Sequence, residues 1–468
     1  MEKRKPAQIF TELEVIDLAS EGMGIAKQDG LVIFIEGTVT GDIVDVMITR
    51  KKSGFRQGKP IHFHKLSELR RTPLCEHFGV CGGCKWQNIA YSDQLKHKEK
   101  QVYDALKRIA KVQLPPLPPI VGAPAEFYYR NKLEYTFSAT RWLTDSEVKS
   151  ELNFENRNGL GFHIPGRFDK VLNINTCHLQ DEPGNAIRRF VKEYAILQKL
   201  EFFDLREQTG LLRNLTLRNS SSGEWMFVLA VTRECEELFE LLNAVEKKFP
   251  EISSINYAVN AKRNDSLYDL EVINWKGLPH ITEHMEDLQF RIGPKSFFQT
   301  NSKQAYELYK ITREFAAIES NDIVYDLYTG TGTIALFVSK LAQKVVGIEY
   351  VSEAVSDAEI NAGINGIVNC SFIAGDMKDV LVNSFFETQG RPDVIITDPP
   401  RAGMHESVVK RLLESGARRI VYVSCNAATQ ARDLAMLDSA YQVARVQPVD
   451  MFPQTTHVEN VVALELRT

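Results

Sequence analysis

Cys425 stands in the run Val421-Tyr422-Val423-Ser424-Cys425-Asn426, where β-branched and aromatic residues give way to a helix-like stretch over 427–437. A cysteine at that junction lies at the rim of an α/β sheet, and the helix N-terminus lowers a thiol's pKa. Most cysteines are buried structural thiols, so this one decides nothing alone. Two neighbouring blocks change the balance. Upstream, Asp398-Pro399-Pro400-Arg401-Ala402-Gly403 closes the strand-like Ile395-Ile396-Thr397. Downstream, His457-Val458-Glu459-Asn460 leads into the apolar Val461-Val462-Ala463-Leu464, which places Glu459 just before a strand rather than on an open surface.

A donor site precedes them. Ile323-Val324-Tyr325-Asp326-Leu327-Tyr328-Thr329-Gly330-Thr331-Gly332-Thr333 reads as a strand ending in an acid, a G-x-G turn and the start of a helix. Gly330 and Gly332 let the backbone approach a ligand, with Asp326 and Thr333 beside them. A lone G-x-G is weak evidence. Seventeen residues after Gly332, however, Val345-Val346-Gly347-Ile348-Glu349 ends in a carboxylate placed to hold a ribose diol. A third strand ends at Gly375-Asp376, suited to an adenine edge. Position 335 is Ala, so the full dinucleotide motif is missing and a pyrophosphate has little room. S-adenosylmethionine fits better.

Methyltransferases acting on exocyclic amines place an aromatic after the two prolines, where it stacks on the base. Here Arg401 holds that place, which leaves Cys425 in need of a task. Organic chemistry supplies one. The C5 carbon of uracil is too weak a nucleophile to take a methyl group directly. A thiolate added at C6 makes C5 an enolate carbon, and a base must then remove the C5 proton so that the thiolate can leave. Cys425, Glu459 and the donor site meet those needs.

The elements that must position these groups fall into three spans. At 468 residues the length suggests about three domains. The 44% hydrophobic and 25% charged content can fill sizeable cores. A net charge of −5 means that any nucleic-acid binding must come from local patches. Met1-Glu2-Lys3-Arg4-Lys5 leads into no apolar signal core, and seven cysteines without an export signal point to a reducing cytoplasm. Span 1–68 reads as a small β module of about five short strands, an OB-like barrel. Between 49 and 72 it carries Arg50, Lys51, Lys52, Arg56, Lys59, Lys65, Arg70 and Arg71 against Glu68 alone. Such runs are usually solvated faces, but with Phe55 and Phe63 interleaved this one also suits a nucleic-acid backbone.

Span 69–290 reads as α+β. It opens with Cys75, Cys81 and Cys84, spaced C-x5-C-x2-C, and Cys177 is the best fourth thiol. Four thiolates fit either zinc or an iron–sulfur cluster; His77 is a bystander. A long helix is expected over 92–112, with Leu95, Val102, Leu106 and Ile109 inside and Lys98, Lys100, Lys107 and Arg108 outside. The proline-rich stretch 114–119 is expected as a stiff linker. Span 291–468 alternates strand and helix, hence a parallel, Rossmann-like sheet.

With these residues in place, the chain resembles the RNA uracil-5-methyltransferase family, and within it the group acting on 23S rRNA. The resemblance covers nearly the whole length. The blocks at 398–403, 424–426 and 457–459 match in order and spacing, as does Phe298-Gln299-Thr300-Asn301. It implies Cys425 as nucleophile and Glu459 as base. It implies Gln299, Tyr328, Glu349 and Asp398 as ligands of donor or substrate. It turns Cys75, Cys81, Cys84 and Cys177 into holders of a [4Fe–4S] cluster and the barrel into an RNA-binding TRAM domain. It also implies that the 92–112 helix packs on the catalytic domain, and a monomer is expected. Members acting on the tRNA T-loop commonly lack barrel and cluster, so their presence favours rRNA. Thr333 departs from the pattern, since many relatives carry Asn there. The rivals are a tRNA T-loop uridine, an iron–sulfur RNA-binding protein without catalysis, and an amine methyltransferase.

Overall fold

The computed structural model describes residues 8–150, 154 and 156–467; the basic start at 1–5 lies outside them. Short apolar runs over 323–466 form one seven-stranded sheet: β1 (Ile323–Leu327), β2 (Lys344–Glu349), β3 (Cys370–Ala374), β4 (Val394–Thr397), β5 (Arg419–Ser424), β6 (Tyr441–Val449) and β7 (Glu459–Leu466). Their spatial order is β3-β2-β1-β4-β5-β7-β6. The first five are parallel, each with a helix or helices before the next, as the alternation predicts. β7 breaks the rule by inserting antiparallel between β5 and β6. No helix separates β6 from β7, so the chain turns straight back instead of crossing over. Among the helices are α1 (Tyr91–Ala105), α2 (Ser302–Ala316), α3 (Thr333–Val338) and α4 (Ala427–Leu437).

α1 corrects the expected 92–112 helix twice. The α-helix ends at Ala105 and continues as a π-helical turn, Leu106–Ala110. Its buried stripe is Gln94, Lys98, Val102, Leu106 and Ala110, with Ile109 exposed. Lys98, expected outside, is wholly buried and paired with the equally buried Asp450 at 2.6 Å. Burial depresses the Lys98 pKa and Asp450 opposes that shift. Spacing by four residues predicts one stripe whatever its polarity. A polarity scale therefore assigns Lys98 to solvent, although a buried carboxylate awaits it. Val102, Leu106 and Ala110 share a core with β1, β2 and β5 residues such as Tyr325, Ile348 and Tyr422. The proline stretch is no free linker. Leu114, Leu117 and Ile120 pack on the same core, and Val121 bridges Val449.

Span 69–290 is built on a second seven-stranded sheet. Its order is Ile273–Gly277, Ile252–Val259, Trp225–Val231, Leu212–Asn219, Lys132–Ser138, Gly159–His163 and Val171–Asn173. Helices Gly184–Leu197 and Glu236–Lys248 cover one face. Strand alternation turns Phe227 and Leu229 to those helices but Met226 and Val228 to the catalytic core. The catalytic core also recruits the hairpin Ile281–Met285 with Leu288–Ile292, which begins before residue 291.

The N-terminal six-stranded sheet runs Ile9–Glu14, Ile43–Lys52, Phe55–Lys65, Leu31–Ile35, Gly24–Gln28, Asp17–Leu18. Of its basic stretch, Arg50, Lys51, Lys52, Lys59, Lys65 and Arg71 are exposed. Arg70 is committed to the buried Asp42, at 2.6 and 2.8 Å. Among the described residues no helix is long and apolar enough to cross a membrane.

Breaking the Lys98–Asp450 pair from one side leaves a buried carboxylate unpaired. Lys98→Met should therefore cost about 3–5 kcal/mol of stability, whereas Lys98→Met with Asp450→Asn should recover most of it. Urea denaturation of the three proteins checks this.

Candidate active site

The site is set by one register. β5 and β7 pair so that Ser424 lies opposite Asn460. Cys425 follows Ser424 and Glu459 precedes Asn460, so the pairing brings the two to adjoining strand ends, and both line one cavity. Gln430, wholly buried on α4, locks the register: its side-chain amide donates to Tyr422 O (2.9 Å) and Asn460 O (3.2 Å), and its Oε1 accepts from Asn460 Nδ2 (2.7 Å). Asn426 caps α4 by accepting from the Ala428 N–H at 3.1 Å. Its Nδ2 donates to Arg401 O at 3.0 Å, which ties the 398–403 loop to the cysteine.

Cys425, Glu459, Asp398, Arg401 and His457 line one cavity of about 1660 Å³, together with Phe452 and Thr455. Its volume exceeds what one nucleoside fills. Burial, the Asp398 charge and then Arg401's opposing charge act on Glu459, and the first two win: its carboxyl is pushed well above the usual range. Burial and the charge of Asp326 do the same to Asp398. The Cys425 thiol is not lowered, as its place before a helix predicts, but raised to about 11. The cause is burial, followed by Glu459 and Asp398; Arg401 works against them. A helix N-terminus contributes about 0.3–1 kcal/mol, less than one pKa unit at about 1.36 kcal/mol, so it is outweighed. His457 is depressed to about 4 by burial and by Arg401. Its neutral ring thus accepts the Arg401 Nη2 hydrogen bond (3.0 Å to Nδ1).

The predicted donor ligands divide into two groups. Gln299, Tyr328, Gly330, Glu349, Asp376 and Asp398 line the cavity. Glu349 accepts from the N–H groups of Gly330 (3.1 Å) and Val351 (3.0 Å), which aims it along the loop. Asp376 caps the short helix Met377–Val380. Asp326, Gly332 and Thr333 lie behind the loop and shape it. Asp326 is wholly buried, accepts from Thr329 Oγ1 (2.5 Å) and Ala335 N (3.0 Å), and keeps its Oδ1 without a partner. Burial lifts its pKa to about 7. Gly332 has φ +79°, and a Cβ there would meet Ala358 Cβ at 2.9 Å.

Gln299 is held from the other sheet. Arg218, buried, donates to Ser296 O (2.8 Å) and Phe298 O (3.2 Å). Asn131 Nδ2 donates to Gln299 O (2.9 Å). Neither residue is legible from sequence as part of the site, since the contacts span 78 to 168 positions. Gln430 was detectable as a polar residue spaced with the apolar Ala427, Ala431 and Leu434 on one helix face, which also buries Asp433. Phe452 and Thr455 carry no such signal.

Cys75, Cys81, Cys84 and Cys177 open onto the same cavity. Cys81, Cys84 and Cys177 pack on the central core. Burial and the neighbouring thiols push Cys84 to about 12 and Cys177 to about 11. Among the described residues no group of three or more His, Cys, Asp or Glu is placed so as to hold a metal ion. His77 is more than a bystander: its Nε2 accepts from the Asn175 N–H at 2.9 Å and clips the 75–84 turn to the loop of Cys177.

A carboxyl whose folded-state pKa is raised contributes stability that is present below its unfolded value and is lost as pH climbs through the folded one. Without donor, the protein should therefore lose stability from about pH 5 to about pH 9 in part through Glu459. Glu459→Gln cannot ionise and should gain relative to the unsubstituted chain over that window. Thermal midpoints of both proteins at the two pH values check it.

Comparisons with known proteins place this geometry. Residues 280–467 match the family tRNA (Uracil-5-)-methyltransferase, and residues 10–61 match the TRAM domain. An uncharacterized RNA methyltransferase of Bacteroides thetaiotaomicron is 56% identical over 96% of this chain and 100% of its own. One from Porphyromonas gingivalis is 52% identical over 97% and 100%. The crystal structure of Pyrococcus abyssi tRNA (uracil-54, C5)-methyltransferase in complex with S-adenosyl-L-homocysteine superposes with a TM-score of 0.74 at 29% identity, covering 97% of this chain and 99% of that one. With a G-x-G loop, an acid-ended second strand and a cysteine facing a glutamate in one cavity, this chain belongs to the RNA uracil-5-methyltransferase family and is an S-adenosylmethionine-dependent enzyme with an N-terminal TRAM domain.

Proposed function

We propose that the protein methylates C5 of a uridine in 23S rRNA through a covalent adduct between Cys425 and uracil C6. The observation that carries this reading is that Cys425 and Glu459, at adjoining ends of the paired β5 and β7, line one cavity, where the Glu459 charge acts on the thiol. Cys425, its proton lost to solvent, adds as thiolate to C6; the electron pair displaced to C5 forms the new bond to the methyl group as that methyl's bond to the donor sulfur breaks, the bonding electrons staying on sulfur to leave S-adenosylhomocysteine. Glu459 then removes the C5 proton, C5=C6 reforms, and the cysteine sulfur leaves. When bound, S-adenosylmethionine supplies an electrophilic methyl on a sulfonium cation, and that positive charge favours ionisation of Cys425, Asp398 and Glu459. Gln299, Tyr328, Glu349, Asp376 and Asp398 hold donor or substrate. Asp326, Gly332 and Thr333 act behind them, by setting the loop. Arg401 offsets two carboxylates beside the thiol. The target base must leave its stack to reach the cavity.

Cys75, Cys81, Cys84 and Cys177 are read as ligands of a [4Fe–4S] cluster. Their proximity supports this: Cys75, Cys81 and Cys177 each act through charge on the Cys84 thiol, even though the unligated thiols are not themselves arranged as a metal cage. So does Arg188, a buried guanidinium beside Cys177 whose hydrogen bonds go to the carbonyls of Ile174 and Asn175 and not to a carboxylate. A set of ligated thiolates would supply the missing negative charge. The exposed basic edge of the TRAM barrel is read as the contact to RNA phosphates.

A tRNA uridine is the second reading, favoured by the likeness to the P. abyssi tRNA enzyme, which spans the barrel as well. Mapping 5-methyluridine in rRNA and tRNA from cells with and without the protein separates the two. Loss from 23S rRNA alone is expected; loss from tRNA alone would replace that substrate.

Cys425→Ala should abolish turnover, leave donor affinity nearly unchanged and form no adduct. Glu459→Gln should accumulate a Cys425–RNA adduct that already carries the labelled methyl group, visible as a shifted band on a denaturing gel. An adduct without the methyl group would sink Glu459 as the C5 base. Protein purified anaerobically should contain about four irons with the broad visible absorbance of such clusters, lost on replacing Cys177; stoichiometric zinc in a colourless protein would contradict the cluster.

A further inference from the structure

Segment 450–459 delivers Phe452, Thr455, His457 and Glu459 to the cavity, yet it has no regular structure before Glu459. Within it Gln454 adopts φ +67°, a left-handed conformation unusual for a residue with a side chain. Such a segment keeps one shape only when its surroundings over-determine it. Asn301 Nδ2 donates to Met451 O (2.9 Å) and Tyr129 Oη to Pro453 O (2.9 Å), and α1 holds the positions on either side of them.

Two wholly buried polar side chains of α1 make the grip. Lys98 Nζ donates to Asp450 Oδ1 (2.6 Å) and to Phe452 O (3.0 Å). Asp450 also accepts from the Phe452 N–H (3.0 Å) and from the Tyr91 hydroxyl (2.8 Å). One turn earlier, Gln94 Oε1 accepts from the Gln454 N–H (2.9 Å), and Gln94 Nε2 donates to Gln454 Oε1 (2.9 Å) and Trp86 O (3.0 Å). Gln454 O in turn receives the N–H groups of Lys85 (2.8 Å) and Trp86 (3.1 Å), the two residues that follow Cys84. Apolar side chains of similar volume would hold α1 on the sheet without the desolvation cost of a buried ion pair. What they could not do is fix hydrogen-bonded positions along an irregular loop.

We propose that Lys98 and Gln94 are positioning residues that hold segment 450–459 so that Glu459 and His457 face Cys425. This rests on the reading of Glu459 as the C5 base. A misplaced Glu459 fails at its own step, after methyl transfer, so the defect should appear as slow elimination and not as weak binding.

The test uses two uncharged replacements in the full-length protein: Lys98→Met with Asp450→Asn, and Gln94→Met. Each is compared with Glu459→Gln for thermal midpoint, donor affinity, KM for RNA, kcat and methylated adduct on denaturing gels. The expected result is a fall in kcat of about tenfold or more, with donor affinity and KM within about twofold, and a persistent methylated adduct. Turnover within about twofold of the unsubstituted enzyme overturns the proposal. So do parallel losses of donor affinity, KM and thermal midpoint without adduct, and so does failure of both variants to fold, since each marks a purely structural role. If Glu459→Gln itself traps no methylated adduct, the base assignment falls; if it does and the α1 variants do not, only the positioning role falls.

Discussion

The antiparallel pairing of β5 with β7 is the constraint on which the site depends. Side chains alternate along a strand with period two, so a slip of one residue would carry Glu459 to the other face of the sheet. β7 is apolar on both faces, with Val461 and Ala463 in one core and Val462 and Leu464 in the other, so burial alone does not fix its register. Gln430 adds a polar lock from α4, with one side chain holding the carbonyls of both strands. Carboxylate and thiol thus meet at two strand ends in register, and the segment that leads into Glu459 is held from α1 as well.

That closeness has an electrostatic consequence. Asp398, Glu459 and Cys425 share one cavity, and although Arg401 acts against the shifts of Glu459 and Cys425, burial and neighbouring carboxylates hold all three towards their neutral forms. A ligand-free site of this kind is at rest as a set of acids. A cation entering it shifts every member in the same direction, towards the charged forms that nucleophile and base require.

The rest of the molecule serves as scaffolding from three sides. The central sheet contributes Arg218 and Asn131, which hold the backbone around Gln299. α1 contributes Gln94 and Lys98, which hold the segment before Glu459. The barrel approaches the same segment: a Cβ on Gly22, at φ +82°, would meet Thr456 at 2.8 Å, so this contact requires glycine. Domains that are separate in sequence therefore converge on two stretches of the cavity wall, the one carrying Gln299 and the one just before Glu459.

Much of this was legible beforehand. Cys425, Glu459, the G-x-G loop and Glu349 declare themselves because chemistry demands particular residue types at strand ends, and strand ends are readable from apolar runs. The alternation after residue 291 likewise predicts a sheet with crossover helices. Three things were decided only by tertiary structure. The direction of the Cys425 shift depends on how many carboxylates share its cavity, and Asp398 and Glu459 stand at strand ends 27 and 34 positions away in the chain. The burial of Lys98 depends on Asp450, 352 positions along the chain. The insertion of β7 between β5 and β6 depends on which edge is free when the chain turns back. Local pattern reports the period and type of an element; which partner satisfies a buried charge, and in what register, is settled by contacts between residues far apart in sequence, where no local pattern exists to be read.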